Sequence, residues 1–262
     1  MYLEIILEKP KRVSHKYPIL FIHGAWHGAW CWKKYFMPYF AENGYESYAL
    51  SFRGHGQSEK PSHFKWMRIN DYVEDVDQIV RTLPEKPVLI GHSMGGLVVQ
   101  KYLEEHSATA AILLAPVPVK GVLRTTLRIL CRHPLAFLKT NLTWSLYPII
   151  GNPKLAREAF FSLDIPIEIM KEYFDLMQDE SYLAFLDMMI FKLPKPKNVS
   201  TDLLILGAEE DTIFHMDEII ETAEAYVTKA EFFKNMAHDM MLEDNWQDVA
   251  DRILMWLGKK GI

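Results

Sequence analysis

The stretch that decides the fold is Val88-Leu89-Ile90-Gly91-His92-Ser93-Met94-Gly95-Gly96-Leu97-Val98-Val99. An apolar run precedes the serine and a helix-forming run follows it, so Ser93 lies at a strand-to-helix junction. In a G-x-S-x-G turn at such a junction, the serine is strained with its hydroxyl accessible, and Gly91 and Gly95 are small where backbones crowd. The N-terminus of the next helix points N–H groups toward developing negative charge. The stretch therefore predicts a nucleophilic serine at position 93.

Short runs rich in Val, Ile, Leu and Phe alternate with longer amphipathic segments on both sides of this stretch, which is typical of βαβ units in a mainly parallel sheet. We predict a first strand near the N-terminus and further strands at Pro18–His23, Glu46–Phe52, Pro87–His92, Ala108–Ala115, Asp202–Gly207 and Lys229–Lys234. We predict helices at Trp32–Glu42, Asp71–Leu83, Met94–His106, Met216–Tyr226 and Glu243–Leu257. The fold class is therefore α/β, with a mostly parallel sheet flanked by helices.

The alternation of strands and helices stops for about eighty residues between Ala115 and Asp202, which is too long for an ordinary loop. Prolines mark both ends of this interval, at Pro116 and Pro118 and again at Pro194 and Pro196. We therefore predict a mostly helical cap at 118–199, inserted into a core formed by 1–117 and 200–262.

Charge divides the predicted cap into two halves. From Val117 to Arg157 there are seven basic residues and no acid, whereas from Glu158 to Phe191 there are eight acids and a single lysine. Four of the basic residues recur at every fourth position and would form one stripe on a helix. These residues are Lys120, Arg124, Arg128 and Arg132. The stripe predicts either a peripheral contact with an anionic lipid or phosphorylated substrate or, as we favour, a solvated face paired with the acidic half of the cap.

Composition excludes several classes of protein. The 262 residues carry a formal net charge of −5, so no basic excess favours nucleic acid as a partner. The two cysteines show no paired spacing that would indicate zinc or a disulfide framework. No N-terminal leader pattern and no apolar run of transmembrane length is present, so we expect a cytoplasmic protein without a transmembrane segment.

A second motif makes a family resemblance specific. Phe21-Ile22-His23-Gly24 ends an early strand, and Ala25-Trp26-His27-Gly28-Ala29-Trp30-Cys31-Trp32 follows it. Together with the serine stretch, this pattern resembles the α/β-hydrolase superfamily, in the branch that holds carboxylesterases, plant methyl esterases and hydroxynitrile lyases. The resemblance implies an oxyanion hole made by the backbone N–H groups of Ala25 and Met94, and it leaves His23 a structural role.

A serine hydroxyl is a weak nucleophile, so it needs a histidine base that is oriented by an acid. His238 follows the last predicted strand, where the family carries its catalytic histidine, and the order serine, acid, histidine is the one expected of this fold. The loop after the preceding strand offers three consecutive carboxylates. The family pattern favours Asp211 as the acid, with Glu209 and Glu210 left as alternatives.

The sequence thus predicts a serine esterase that acts on a small-molecule ester with an apolar acyl or alcohol group and needs no metal or cofactor. The predicted substrate-binding residues are Trp26, Trp30, Trp144, Phe161, Met170 and Phe174. Carbon–carbon bond hydrolases, perhydrolases and non-turnover ligand receptors share the fold and stay open as alternatives. A hydroxynitrile lyase is disfavoured, because Gly24 and Asp239 stand where that branch carries threonine and lysine. The oligomeric state is not predicted.

Overall fold

The computed structural model describes residues 1–262, and a seven-stranded sheet runs through its centre. The strands are β1 (Ile5–Glu8), β2 (Ile19–Ile22), β3 (Ser47–Leu50), β4 (Val88–His92), β5 (Ala110–Leu114), β6 (Leu203–Ala208) and β7 (Ala230–Phe233). They lie in the order β1-β3-β2-β4-β5-β6-β7, with β1 antiparallel to β3 and every other neighbouring pair parallel. The predicted α/β class is therefore confirmed.

Helices cover both faces of the sheet and fill the long interval between β5 and β6. Those of the core are α1 (Trp30–Lys33), α2 (Phe36–Glu42), α3 (Ile69–Val80), α4 (Met94–Tyr102), α11 (Met216–Ala225) and α12 (Trp246–Lys260). Those of the interval are α5 (Leu123–Arg132), α6 (Pro134–Thr143), α7 (Tyr147–Ile150), α8 (Pro153–Phe160), α9 (Ile167–Leu176) and α10 (Tyr182–Leu186), followed by a π-helical turn at Asp187–Phe191. No helix has the combination of length and apolar character that a membrane crossing requires.

Alternate side chains of the central strands enter two separate hydrophobic cores. On β2, Ile19 and Phe21 pack into one core, whereas Leu20 and Ile22 pack into the other, and all four are fully buried. Such double-sided burial explains why these strands are apolar without alternation. Because β2 and β4 are parallel and in register from Ile19↔Val88 to Ile22↔Gly91, their carboxyl ends meet at one edge of the sheet.

Of the four stripe residues, only Arg132 pairs with an acid of the acidic half of the interval, Glu158, which corrects our favoured interpretation for the other three. Those three pair with acids of the core helix α11 instead. The contacts are Lys120 with Glu221 (2.9 Å), Arg124 with Asp217 (3.1 Å), Arg128 with Glu218 (2.6 Å) and Arg132 with Glu158 (3.4 Å). Since each cation has a carboxylate partner, the stripe does not present unpaired positive charge for the alternative contact with a lipid or phosphate.

Acids from the second half of the interval are instead buried against the core. Glu180 is fully buried, where it accepts a 2.6 Å hydrogen bond from the Tyr72 hydroxyl. Asp187 is also fully buried and accepts two bonds from the Arg68 guanidinium, at 2.6 and 3.1 Å, and one from the N–H of Ile69 at 3.2 Å. Buried charges persist only when they are paired or hydrogen-bonded in this way. The first half of the interval is thus attached to the core through its basic residues, and the second half through its acids.

The glycines of the serine stretch give a testable consequence. A Cβ at Gly95 would lie 2.4 Å from the backbone oxygens of both Ile22 and His23, and backbone atoms cannot rotate away. We expect Gly95→Ala to lower the free energy of unfolding by about 3 kcal/mol or more, as overpacking of a tight core does. Urea unfolding followed by circular dichroism would measure the loss.

Gly258 supplies the matched control, because a Cβ there meets nothing within 4 Å on helix α12. Gly258→Ala should raise stability by up to about 1 kcal/mol through helix propensity alone. Equal stability of the two variants would contradict the crowding that we describe.

Candidate active site

The turn between β4 and α4 holds Ser93 in a strained conformation. Its backbone has φ 52° and ψ −117°, a region that residues with a Cβ rarely adopt and that persists only where the surroundings enforce it. The Ser93 N–H donates to the carbonyl of Leu114 at 3.0 Å, and its carbonyl accepts from the N–H of Val117 at 3.1 Å. A Cβ at Gly91 would lie 2.6 Å from the carbonyl oxygen of Gly95. The serine is thus fixed between the two central strands.

Ser93, His238 and Asp211 form a continuous chain of hydrogen bonds. The Ser93 Oγ lies 2.9 Å from His238 Nε2, and His238 Nδ1 lies 2.7 Å from Asp211 Oδ2. Because a carboxylate only accepts, Nδ1 carries the proton and Nε2 is free to accept from the serine hydroxyl. All three residues are at least 92% buried. This arrangement can activate a hydroxyl as a nucleophile.

Asp211 is itself held by the backbone. Its Oδ1 accepts hydrogen bonds from the N–H groups of Ile213 at 2.7 Å and Phe214 at 2.9 Å. The alternative acids Glu209 and Glu210 are exposed, and neither side chain contacts His238. The structure therefore brings Asp211, and not its neighbours, to the imidazole.

The two N–H groups expected to form an oxyanion hole are available for a ligand. The N–H of Ala25 makes no hydrogen bond within the chain, and Met94 is the first residue of α4, where an N–H has no intrahelical partner. The chain turns sharply after Ala25, since Trp26 has φ 65°. The carbonyl of Trp26 accepts a 2.9 Å bond from the N–H of Gln178, which ties this loop to the interval above it.

His23 links the ends of two strands. Its Nδ1 lies 2.7 Å from the carbonyl of Gly24, and its Nε2 accepts from the N–H of Phe52 at 3.0 Å. These two bonds require the neutral ring with its proton on Nδ1. Burial, together with the charge of His55, lowers the pKa of His23 well below its usual value. The geometry agrees with a structural role for this histidine.

Sequence reasoning missed a second buried pair, formed by His27 and Asp239. His27 Nε2 lies 2.9 Å from Asp239 Oδ2, and His27 Nδ1 lies 2.7 Å from the carbonyl oxygen of Ala25. Both partners are acceptors, so satisfying both ring nitrogens requires the imidazolium. The pair connects the carbonyl of Ala25 to the residue that follows His238. The only signal in the sequence is a histidine and an aspartate each beside a predicted site residue, 212 positions apart.

The pKa shifts of this pair agree with its geometry. Burial disfavours the charged imidazole, but the charge and hydrogen bond of Asp239 outweigh it and raise the pKa of His27. Burial likewise opposes the charged carboxyl, yet the charge and hydrogen bond of His27 lower the pKa of Asp239 below its usual value. The folded protein therefore holds a buried ion pair here.

His92 contacts the backbone of His238. Its Nε2 lies 3.0 Å from the carbonyl oxygen of His238 and 3.7 Å from Asp239 Oδ1. Burial and the charge of His238 lower the pKa of His92 to about 3. The ring is therefore neutral, and it donates its Nε2 proton to the His238 carbonyl.

A cavity opens beside Ser93 and His238. Apart from Ser93 and His238, its lining is almost entirely apolar. The lining residues are Ala25, Trp26, Met94, Val117, Val122, Thr125, Thr126, Ile129, Leu146, Ile149, Phe160, Phe185, Met188, Ile213 and Phe214. The two threonine hydroxyls already donate to backbone carbonyls, those of Ile213 and Val122. The cavity can therefore accommodate a hydrocarbon group next to a reactive hydroxyl.

Of the predicted substrate-binding residues, only Trp26 lines this cavity. Trp30 stacks on Tyr173 with ring centroids 6.3 Å apart, and Trp144 lies on the outside, 43% exposed. The others pack in or against one hydrophobic core; they are Phe161, Met170 and Phe174. The structure therefore does not bring these five to the cavity, and at Phe161, Met170 and Phe174 the helix faces pack inward against the fold instead.

One group of metal-ligating residue types lies outside the cavity. His215, Asp217 and Glu218 bring one ligand atom each within 4.8 Å of one another. Both carboxylates already pair with arginines, those of Arg124 and Arg128. The group is therefore accounted for by ion pairs between α5 and α11.

Comparison with known proteins agrees with this geometry. Residues 19–252 match the model of a family described as the alpha/beta hydrolase family. Methylesterase 3 of Arabidopsis thaliana is 37% identical over 86 residues, which is 32% of this chain and 32% of that protein. The chain thus matches about a third of the length of such curated relatives.

Solved structures agree over nearly the whole chain. An esterase from Exiguobacterium antarcticum superposes with a TM-score of 0.78 at 18% identity, covering 98% of this chain and 95% of its own. A bromoperoxidase from Bacillus anthracis gives a TM-score of 0.74 at 18% identity, covering 98% and 96%. At these identities the likeness shows the fold alone.

The buried pair predicts how stability varies with pH. The charged form of His27 stabilises fully below its usual pKa of 6.5, and this contribution is lost as pH rises through the raised folded pKa. Asp239 contributes above its usual pKa of 3.8, and this contribution is lost as pH falls through the lowered folded pKa. Asp239→Asn should therefore cost most between about pH 4 and 6.5, by about 3 kcal/mol, and less at higher pH. Urea unfolding of both proteins across this range gives the difference.

Asp202→Asn is the matched control, since Asp202 pairs with Lys260 at the surface, where the two side chains are 62% and 40% exposed. An exposed pair contributes little at any pH. A cost of Asp239→Asn that stays constant from pH 5 to pH 9 would argue against the ion pair.

Proposed function

The chain belongs to the alpha/beta hydrolase family, and on this premise we propose that it is a serine esterase that cleaves carboxylic esters with an apolar acyl or alcohol group. The observation that carries the proposal is the hydrogen-bonded chain from Ser93 through His238 to Asp211, at a strained turn beside two free N–H groups. The methylesterase names of the matching relatives support ester cleavage.

In the proposed mechanism, the Ser93 Oγ attacks the ester carbonyl while His238 Nε2 takes the hydroxyl proton. The carbonyl oxygen becomes an oxyanion that receives hydrogen bonds from the N–H groups of Ala25 and Met94, and a donor of this kind is worth about 10² to 10³ in rate. His238 then gives its proton to the departing alcohol, which leaves an acyl-enzyme. Water, deprotonated by His238, releases the acid and restores Ser93. Asp211 keeps the imidazole oriented and stabilises its charged form.

The preference for an apolar substrate rests on the cavity. Its threonine hydroxyls donate to backbone carbonyls, so apart from the unpaired indole N–H of Trp26, the lining offers little to replace the hydration of a charged group on the substrate. We propose that residues 118–199 act as a cap over the core at 1–117 and 200–262, since Val122, Ile149 and Met188 of this interval line the cavity. We propose that the substrate is a small-molecule ester and that the protein acts in the cytoplasm.

Hydroxynitrile lyase chemistry is disfavoured by space as well as by residue type. A Cβ at Gly24 would lie 2.9 Å from His92 Nδ1 and 3.0 Å from the Ser93 Cβ. The threonine that the lyase branch carries at this position therefore does not fit without a shift of His92 or Ser93.

Replacing the acid tests the triad. We expect Asp211→Asn to retain the fold and to lower kcat by about 10⁴, since the imidazole loses its orientation and its counter-charge. The exposed neighbour provides the control, and Glu210→Gln should keep kcat within about twofold of the parent chain. Hydrolysis of p-nitrophenyl butyrate measures both, and near-parental turnover by Asp211→Asn would refute the assignment.

Replacing the substrate tests the cavity. A fluorophosphonate should label the parent chain at Ser93 in peptide mass spectrometry and leave Ser93→Ala unlabelled. Across p-nitrophenyl esters, kcat/KM should rise from acetate to hexanoate, because each added CH₂ group is worth about 0.8 kcal/mol when buried. The hemisuccinate has as many acyl carbons as the butyrate but carries a charge, so it should be at least tenfold poorer. A folded protein that neither takes the label nor hydrolyses any ester would favour a ligand receptor.

A further inference from the structure

Helices α5 and α6 turn leucines outward. A surface helix normally exposes charged and polar residues and buries its apolar stripe. Here six leucines on two consecutive, contacting helices are 38% to 81% exposed. They are Leu123, Leu127 and Leu130 on α5 and Leu135, Leu138 and Leu142 on α6. Single exposed leucines need no explanation, but a concentration of this kind marks an interaction surface.

The spacing shows that these positions form one face of each helix. On α5 the exposed leucines are four and three residues apart, and on α6 they are three and four apart, which is one side of an α-helix. The opposite side of α5 contributes Thr125, Thr126 and Ile129 to the cavity beside Ser93. One helix therefore separates the exposed leucines from the catalytic cavity.

The border of this leucine surface has the composition of a membrane interface. At the end of α6, Trp144 is 43% exposed and lies 5.3 Å, ring to ring, from Trp66, which is 55% exposed. The exposed Lys65 donates from Nζ to the carbonyl of Thr143. Tryptophan pairs a large apolar body with a polar N–H, and it concentrates with lysine where apolar lipid meets water.

The charge of the residues around the exposed leucines indicates which kind of surface they would bind. The segment from Val117 to Arg157 contains no acid, and Lys139 lies among the exposed residues of α6. Lys139 and Lys65 would therefore meet anionic headgroups without a neighbouring carboxylate in α5 or α6 to repel them. A second copy fits less well, since a two-fold interface through α5 and α6 would bring this acid-free segment against itself.

We propose that α5 and α6 dock on the surface of an anionic phospholipid bilayer through the six exposed leucines, with Trp66, Trp144, Lys65 and Lys139 at the level of the headgroups. Two contacting helices with leucine on one face can insert those side chains into the acyl boundary while their polar flanks stay in water. Docking through these leucines would place α5, which also lines the cavity beside Ser93, in contact with the lipid. The proposal goes beyond ester cleavage and concerns binding alone.

Vesicle sedimentation tests the proposal with the full chain as Ser93→Ala, so that the result does not depend on hydrolysis. The chain should sediment with vesicles of phosphatidylcholine containing 30% phosphatidylserine, and less with phosphatidylcholine alone. Leu135→Ser combined with Leu142→Ser removes the two most exposed leucines of the surface and should weaken binding at least tenfold. Both side chains are largely exposed, so the fold should be kept, as circular dichroism would check.

Val227→Ser is the matched control, because Val227 is 95% exposed but follows α11 on the core. It should bind vesicles like the parent chain. Equal weakening by the control and by the leucine variant would overturn the proposal, as would a parent chain that stays in the supernatant with both kinds of vesicle. A dimer seen by light scattering that the leucine variant dissociates, without vesicle binding, would also overturn it and assign the surface to a second copy.

Discussion

The structure depends on the tight crossing of β4 and α4 beneath the neighbouring β2. A strand can pass directly into a helix within one residue only if the backbones on either side approach within van der Waals contact. Glycine at 91 and at 95 permits this approach, because any Cβ would meet a carbonyl oxygen within 2.6 Å. The same crowding holds Ser93 at its strained φ of 52°. The hydroxyl therefore points to the cavity as a result of packing, and the remaining site residues are arranged around it.

Two buried histidine–carboxylate pairs lie side by side behind this turn. One, His238 with Asp211, is in contact with the serine, and the other, His27 with Asp239, is one residue away along the chain. The second pair joins the loop that carries Ala25 to the loop that carries His238, two segments that share no strand pairing. A buried ion pair is costly to desolvate and is a weak source of stability. What it provides here is a fixed relation between the loop of Ala25 and the loop of His238.

Much of the fold follows from the sequence because its signals are local. The predicted strands at 18–23 and 87–92 differ from those observed by one or two residues, since fully buried parallel strands are continuous apolar runs. The predicted helix at 32–42 is instead two helices that meet near Tyr35, whose φ of −128° breaks the first. Pro38 has no N–H to donate to the carbonyl of Lys34, so one continuous helix is disfavoured there. Proline is tolerated in the first turn of a helix, which is where Pro38 lies in α2. Asp211 and His238 were predicted from the family pattern. The lining of the cavity instead depends on which side of each helix between β5 and β6 faces inward, and contacts between distant residues decide that.

The two halves of the inserted segment are attached by interactions that respond differently to the solvent. Around Glu180, whose partner Tyr72 is also fully buried, dissolved ions reach the attachment poorly. Between α5 and α11 one ion pair lies at the surface, where the side chains of Arg124 and Asp217 are 49% and 68% exposed, whereas Arg128 and Glu218 form a more buried pair beside it. Screening shortens the range of such exposed charges to about 8 Å at physiological ionic strength and to about 3 Å at 1 M salt. Added salt should thus weaken the Arg124–Asp217 pair more than the buried contact of Glu180 with Tyr72, so the two ends of the interval between β5 and β6 are attached with different sensitivity to ionic strength.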